Sequence, residues 1–336
     1  MDDAVAAVEV THPEKVLFPA DGITKGELCA YYQAVAPLMV PQVAGRPVTM
    51  ERFPAGIGAK GFIQKNLAKG IPSWLDTVEV ERREKDGSVR YPVIRDARGL
   101  VWLANQNSIT PHVWTARVPR LEHPDVCVVD LDPPDQGGPP LTRAVLCVRD
   151  LLVELGVTPF VKTSGSKGFH VMVALDGQAD FGLVWRFTHG LGALLAKRHP
   201  ELFTQEFIKA DRGGRIYLDT ARNAPGATFA AAYAVRPKPG APVSAPCTWS
   251  EIESGAATPQ AFTLRGMRAR IAQAGDPWAE LLAHGASPRA ALDKLEEILR
   301  PEDWEEAMAA STRRPVSRRR PSPGGPSKSR SKRGEP

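Results

Sequence analysis

The run Val126-Cys127-Val128-Val129-Asp130-Leu131-Asp132-Pro133-Pro134 joins an apolar stretch to two alternating acids and a pair of prolines. A β-branched apolar run of this kind is a strand buried within a sheet. The prolines, which lack the N–H that a ladder needs, end it. Successive side chains of a strand point to opposite faces, so Asp130 and Asp132 share one face and Leu131 takes the other. Two carboxylates held close repel one another, and a divalent cation relieves the repulsion. The residues alone leave two readings open: a cation site, or an acidic strand end in solvent.

Downstream, residues 141–155 place Val145, Val148, Leu152 and Leu155 on one helical face, with Gly156 as the C-terminal stop. Residues 159–163 and 169–174 read as strands around the turn Ser164-Gly165-Ser166-Lys167-Gly168. Such a turn exposes N–H groups that could cradle a phosphate, although the pattern Gly-x-x-x-x-Gly-Lys-[Ser/Thr] is absent. His170 opens the second strand beside it, on the face of Met172. A helix over 180–198, with Val184, Phe187, Leu191 and Leu195 on one side, covers the sheet. The strand 215–219 ends in a third acid, Asp219, facing away from Ile216 and Leu218, and Arg222 comes after it. A short strand over 233–236 delivers Arg236 and Lys238. Helices over 262–272 and from Ser287-Pro288 through Leu299 complete this part.

Upstream, Thr24 and Glu27 have the spacing of a capping box for a helix over 24–38, continued by Leu28, Tyr31, Tyr32, Val35 and Leu38. Lys15 and Lys25 flank its start, where free N–H groups favour an anion; two ordinary surface lysines fit as well. Residues 48–53 alternate as a strand. Gly56-Ile57-Gly58-Ala59-Lys60-Gly61 matches Gly-x-Gly-x-x-Gly, but Pro54 separates it from the strand and Gly70-Ile71-Pro72 cuts short any helix after it, so a dinucleotide site is rejected. The segment reads instead as a mobile glycine loop with Lys60, Lys65 and, at its tip, Phe62, suited to an exposed base or simply packed. Residues 78–83 and 89–94 alternate around Lys85-Asp86-Gly87 as a hairpin. His112, beside Trp114, reads as a packed, hydrogen-bonded histidine.

The 336 residues are 43% hydrophobic, with no run approaching a membrane span and acids where a signal peptide needs a basic start. The four cysteines are scattered with no Cys-x-x-Cys, which argues against zinc and disulfides and for a reduced cytoplasmic setting. Net charge is +5, but residues 311–336 hold nine Lys or Arg against one Glu, leaving −3 for the rest. Any nucleic-acid surface on the folded body must therefore be a local patch. The tail has almost nothing to bury and is expected to be disordered, as a tether to nucleic acid or a solubilising end.

Three acids at separate strand ends, beside groups suited to phosphate, point to two-metal phosphoryl transfer. Their order and spacing resemble the polymerase domain of bacterial ATP-dependent DNA ligase D, of the archaeo-eukaryotic primase superfamily. The resemblance rests on Asp130-Leu131-Asp132-Pro133-Pro134, on Ser164-Gly165-Ser166-Lys167-Gly168-Phe169-His170 and on Asp219, and covers residues 10–252 most clearly. It implies an α/β (α+β) primase-like fold of mostly antiparallel central sheets flanked by helices. The domain would span 1–300, with a helical end or linker over 301–310 and the basic tail beyond. The chain has no room for a ligase domain, so a stand-alone form is expected.

The resemblance further implies a template-dependent nucleotidyltransferase of non-homologous end joining that prefers ribonucleotides. In it Asp130, Asp132 and Asp219 would hold two ions of manganese or magnesium. Ser164, Lys167 and His170 would hold the triphosphate of an NTP or dNTP, with Arg222 and Arg236 in the same pocket and His112 near the sugar and primer end. Lys15 and Lys25 would take the 5′ phosphate of gapped or broken DNA, and Phe62 would stack on the template side. Expected partners are such DNA, Ku and a separate DNA ligase, in a cytoplasmic, nucleoid-associated setting without membrane. Two positions depart from the pattern: Ile109-Thr110-Pro111 lacks an acid expected at or near Thr110, and Ile63 stands where some relatives carry a second aromatic. The alternatives are a mobile-element primase, which would start chains without a primer, and a silent DNA-end-binding protein, which would bind metal without incorporating nucleotide.

Overall fold

The computed structural model describes residues 8–67, 70–82, 86–136 and 140–312. The expected hairpin tip at Lys85 and the basic tail over 313–336 lie outside the described residues. Val126–Asp132 is a central strand, as its apolar run requires, in a six-stranded sheet. The order across that sheet is Phe203–Thr204, Ile216–Asp219, Val126–Asp132, Phe169–Ala174, Pro159–Thr163 and Pro246–Cys247. Every pairing is antiparallel except the first, which is parallel. A second, four-stranded antiparallel sheet runs Phe229–Ala230, Ser108–Val113, Val48–Arg52 and Phe62–Gln64.

Alternation along the central strand decides where each face goes. Cys127, Val129 and Leu131 point into a core shared with Phe169, Val171 and Leu218 and roofed by the helices Leu141–Glu154, Phe181–Arg198 and Arg289–Ile298. Val126, Val128, Met172 and Ala174 point the other way, into a second core with Met50, Ile109 and Val113 of the smaller sheet and with the helices Lys25–Val43 and Ala97–Asn105. Asp130 and Asp132 continue that second face beyond its apolar part. The strand thus carries core at one end and chemistry at the other.

Three expectations are corrected. The helix expected to stop at 38 runs to Val43 through Pro37 and Pro41, because burying Val35, Met39 and Val43 outweighs the lost backbone bonds. Phe62 is not at a loop tip; it opens the edge strand, paired with Arg52 and pinned by the 2.7 Å bond from Arg52 Nη1 to Gln64 Oε1. Residues 233–236 form turns with one bridge, Val235 to Val243, rather than a strand. There Tyr233 holds a φ of +65°, fixed by its N–H on the Ser244 carbonyl and its hydroxyl on Asp276. The hairpin of Val16–Phe18 and Ile23–Thr24 was not anticipated. The region 301–310 belongs to a helix, Pro301–Thr312. Among the described residues no helix is long and apolar enough to cross a membrane.

Candidate active site

The register of the large sheet assembles the site. Asp219 lies opposite Asp130, Asp130 opposite His170, and His170 opposite Lys162, so four strands contribute one continuous polar row. Asp132 comes next on the same face, opposite Tyr217. Asp130, Asp132 and Asp219 each offer a carboxylate oxygen, and these oxygens lie within 4.8 Å of one another. Asp130 and Asp219 are buried and Asp132 half-buried. Burial, then the charges of Asp132 and Asp219, push the Asp130 carboxyl up to about 7, and burial with Asp219 raises Asp132 also. Opposing this, Arg222 places Nε 3.1 Å from Asp219 Oδ2 and 3.5 Å from Asp130 Oδ2, while the N–H of Ala221 donates to Asp219 Oδ1 at 3.0 Å. Arg222 is the guanidinium paired directly with these acids, and even with Lys162, Arg212 and Lys167 acting from farther off Asp130 and Asp132 stay raised, so the cluster is short of positive charge, and all its donors are hard oxygens. That set fits a divalent ion such as magnesium or manganese.

Next to the acids, the 164–168 turn is shaped by close approaches. A side chain at Gly168 would place its Cβ 1.8 Å from the Leu131 carbonyl oxygen, and one at Gly165, whose φ is +63°, would meet Arg236 Cγ at 2.5 Å. Ser164 Oγ accepts from the N–H groups of Ser166 and Gly168, each at 3.1 Å. This corrects the expectation of an open phosphate cradle: the hydroxyl and these two donors satisfy each other. Lys167 extends into solvent and pairs with Asp135, whose other oxygen takes Lys209 at 2.5 Å. Arg236 donates from Nη1 to the Ser164 carbonyl at 3.3 Å, yet its buried Nε has no hydrogen-bond partner.

His170 sets Nε2 3.4 Å from Asp130 Oδ1, and its buried Nδ1 also has no partner. Burial, with Lys162 and Arg236 nearby, pushes His170 well below the usual histidine range, so the imidazole is neutral. Lys162, which sequence reasoning missed, is wholly buried, is hydrogen-bonded to Ser244 Oγ, and is pushed well down by burial and by Arg236. The clue was available: counting back through the 164–168 turn sets Lys162 opposite His170.

The smaller sheet supplies His112, whose Nε2 lies 3.2 Å from Glu51 Oε2. Glu51 stands opposite Thr110 in register, so the acid expected at Thr110 comes instead from the neighbouring strand. Burial pushes Glu51 up, but His112 and Arg236 outweigh it and hold the carboxyl below its usual range. Burial lowers His112, against the pull of Glu51.

Lys15 and Lys25 also come together, away from this row of the sheet. The Lys25 N–H donates to the Lys15 carbonyl at 2.8 Å at the start of the 25–43 helix, and Lys25 Nζ donates to Thr11 Oγ1 at 3.0 Å. Burial, and the like charge of Lys15, lower Lys25. Phe62 and Ile63 are exposed by 47% and 55%, with the Arg52 guanidinium 5.6 Å from the Phe62 ring centre. Phe62 is therefore available as a stacking surface rather than packed.

Comparison with known proteins adds one decisive match. Residues 24–278 fit the family described as LigD, primase-polymerase domain. The chain belongs to the LigD primase-polymerase family. It is 37% identical over 257 residues to the multifunctional non-homologous end joining protein LigD of Mycolicibacterium smegmatis, covering 73% of this chain and 32% of that protein. To the Pseudomonas aeruginosa protein of the same description it is 36% identical over 281 residues, covering 82% and 33%. The chain thus spans about a third of the length of these curated LigD relatives. Among solved structures it is similar to the polymerase domain from Mycobacterium tuberculosis ligase D in complex with DNA. The TM-score is 0.77 at 34% identity, over 83% of this chain and 99% of that one. The α/β architecture of antiparallel sheets flanked by helices is that of the LigD polymerase domain.

Proposed function

We propose that the chain is a template-dependent nucleotidyltransferase that extends primer ends at DNA gaps or breaks during non-homologous end joining. The observation that carries this is the convergence of Asp130, Asp132 and Asp219, within 4.8 Å, in a row continued by His170 and Lys162. Asp130, Asp132 and Asp219 are the residues to hold two ions of manganese or magnesium, which when bound supply charge stabilisation for phosphoryl transfer and an acidified 3′ hydroxyl. The half-buried guanidinium of Arg236, set beside the 164–168 turn, binds the triphosphate of an NTP or dNTP, and Arg222 flanks the same pocket. Lys167 joins them by exchanging Asp135 for a phosphate. Neutral His170 adds a hydrogen-bond donor or acceptor without adding charge, and Ser164 fixes the turn that aims these groups. His112, oriented by Glu51, lies toward the sugar and primer end. Lys15 and Lys25 take a 5′ phosphate, and Phe62 stacks on a template base. Ribonucleotide preference, Ku and a nucleoid setting belong to the same reading, and its end-joining part is the role named for the relatives.

The direct test is single-nucleotide addition with manganese on gapped DNA carrying a 5′ phosphate. Incorporation directed by the template base is expected; no incorporation of any nucleotide would refute the proposal. Two variants probe its parts. Lys15→Ala with Lys25→Ala should weaken binding to phosphorylated gaps about tenfold and leave unphosphorylated gaps unchanged, as expected when charge-assisted bonds to one phosphate are lost. Equal loss on both substrates would count against the 5′-phosphate role. Glu51→Gln keeps the shape but removes the charge that orients His112. It should lower nucleotide addition about tenfold while the melting temperature stays nearly constant; full activity would show that Glu51 is not needed.

A further inference from the structure

The strand Ile216–Asp219 pairs with the central strand only as far as Asp219 opposite Asp130. The next hydrogen-bonded pair of an antiparallel ladder would set residue 221 opposite Val128. The chain instead enters a tight helical turn, Ala221–Asn223, and the ladder stops. Val128 lies wholly in the core, so its N–H and carbonyl cannot turn to water. Asn223 fills the gap. Its side chain, also wholly buried, accepts from the Val128 N–H through Oδ1 at 2.8 Å and donates from Nδ2 to the Val128 carbonyl at 2.7 Å. The same Nδ2 donates to the Thr220 carbonyl at 3.0 Å. One side-chain amide thus replaces the two bonds of a backbone pair and ties them to the segment carrying Asp219 and Arg222. Thr220 Oγ1, 3.3 Å from His189 Nδ1, gives that segment a second hold.

We propose that Asn223 is the positioning residue for the third carboxylate: by completing the central strand's ladder, it fixes Asp219 and Arg222 against Asp130. This rests on the metal role assigned to the three acids above. Asn223 touches neither ligand nor reacting atom, and it acts through the place of Asp219. A carboxylate displaced by a fraction of an ångström is a poorer ligand, and supports of this kind change metal affinity by about ten- to a hundredfold when removed.

The test is a manganese titration of the purified full chain, monitored by electron paramagnetic resonance, with neither nucleotide nor DNA present. Asn223→Ala should weaken manganese binding about ten- to a hundredfold. The control is Leu152→Ala, a cavity in the core on the opposite face of the sheet, which lowers the melting temperature but should leave manganese affinity unchanged. Should Asn223→Ala not fold, Asn223→Ser, which retains a polar partner for Val128, should show the same loss to a smaller extent. Unchanged manganese affinity in a folded Asn223 variant, or an equal loss in Leu152→Ala, overturns the proposal. Because no nucleotide is present, a wild type that binds manganese but incorporates nothing would refute the polymerase reading and leave the role of Asn223 intact.

Discussion

Asp130→Ala should reduce nucleotide addition about a thousandfold or more without unfolding the protein. Charge stabilisation by a bound ion is worth several kcal/mol, and each 1.36 kcal/mol is roughly a factor of ten in rate. Asp130 is the acid at the centre of the cluster, registered against both Asp219 and His170. Its effect on stability has the opposite sign. The folded carboxyl is pushed up to about 7 by burial and by Asp132 and Asp219, whereas an unfolded one titrates at about 4. The folded state therefore holds this proton more tightly. Its contribution to stability is full below about pH 4 and is lost as pH rises through about 7. At pH 8 without divalent ions, Asp130→Asn should melt a few degrees above the wild type. Calorimetry over pH 4 to 8 checks this, and a lower melting temperature throughout would show that the carboxylate supports the fold.

Arg236→Ala is expected to weaken nucleotide binding about ten- to a hundredfold, because hydrogen bonds between charged groups contribute about 1.5–3 kcal/mol each. Arg236 is half-buried, its Nη1 is held by the Ser164 carbonyl, and its Nε faces no partner. The loss should fall on KM more than on kcat, since binding is what the side chain supplies. Folding should tolerate the change, because Arg236 adds to the positive field that already depresses Lys162 and His170. Affinity for a non-hydrolysable nucleoside triphosphate measures the effect; a change of less than about twofold would remove Arg236 from the pocket.

The features legible in the sequence are those that local rules control. Alternation placed Asp130 and Asp132 on one face, the capping box started the 24/25 helix, and the 164–168 turn joined two strands, so four strands of the large sheet and its three acids could be read in advance, while the short outer strands Phe203–Thr204 and Pro246–Cys247 could not. The resemblance supplied the family and the fold class, and the family and structure matches bear out both. The features that escaped were fixed by partners far along the chain. Glu51 matters because it stands opposite Thr110 and meets His112, and no local pattern at either segment announces that pairing. Tyr233 takes a left-handed backbone because Ser244 and Asp276 hold it there, against its own strand propensity. Phe62 joined a strand because Arg52 and Gln64 meet across the edge. The 164–168 turn lies between two strands as its sequence indicates, but the N–H groups of Ser166 and Gly168, read as exposed, are taken by Ser164 Oγ, a pairing that composition alone does not reveal.

Manganese should occupy the space among Asp130, Asp132 and Asp219 when nucleotide is present, and the polymerase assignment depends on that. Anomalous diffraction from crystals grown with manganese and a non-hydrolysable nucleoside triphosphate measures this directly. The expected result is density bonded to oxygens of all three carboxylates, with the triphosphate reaching Arg236. Manganese bound elsewhere, with the three acids left unliganded beside a seated nucleotide, would contradict the assignment.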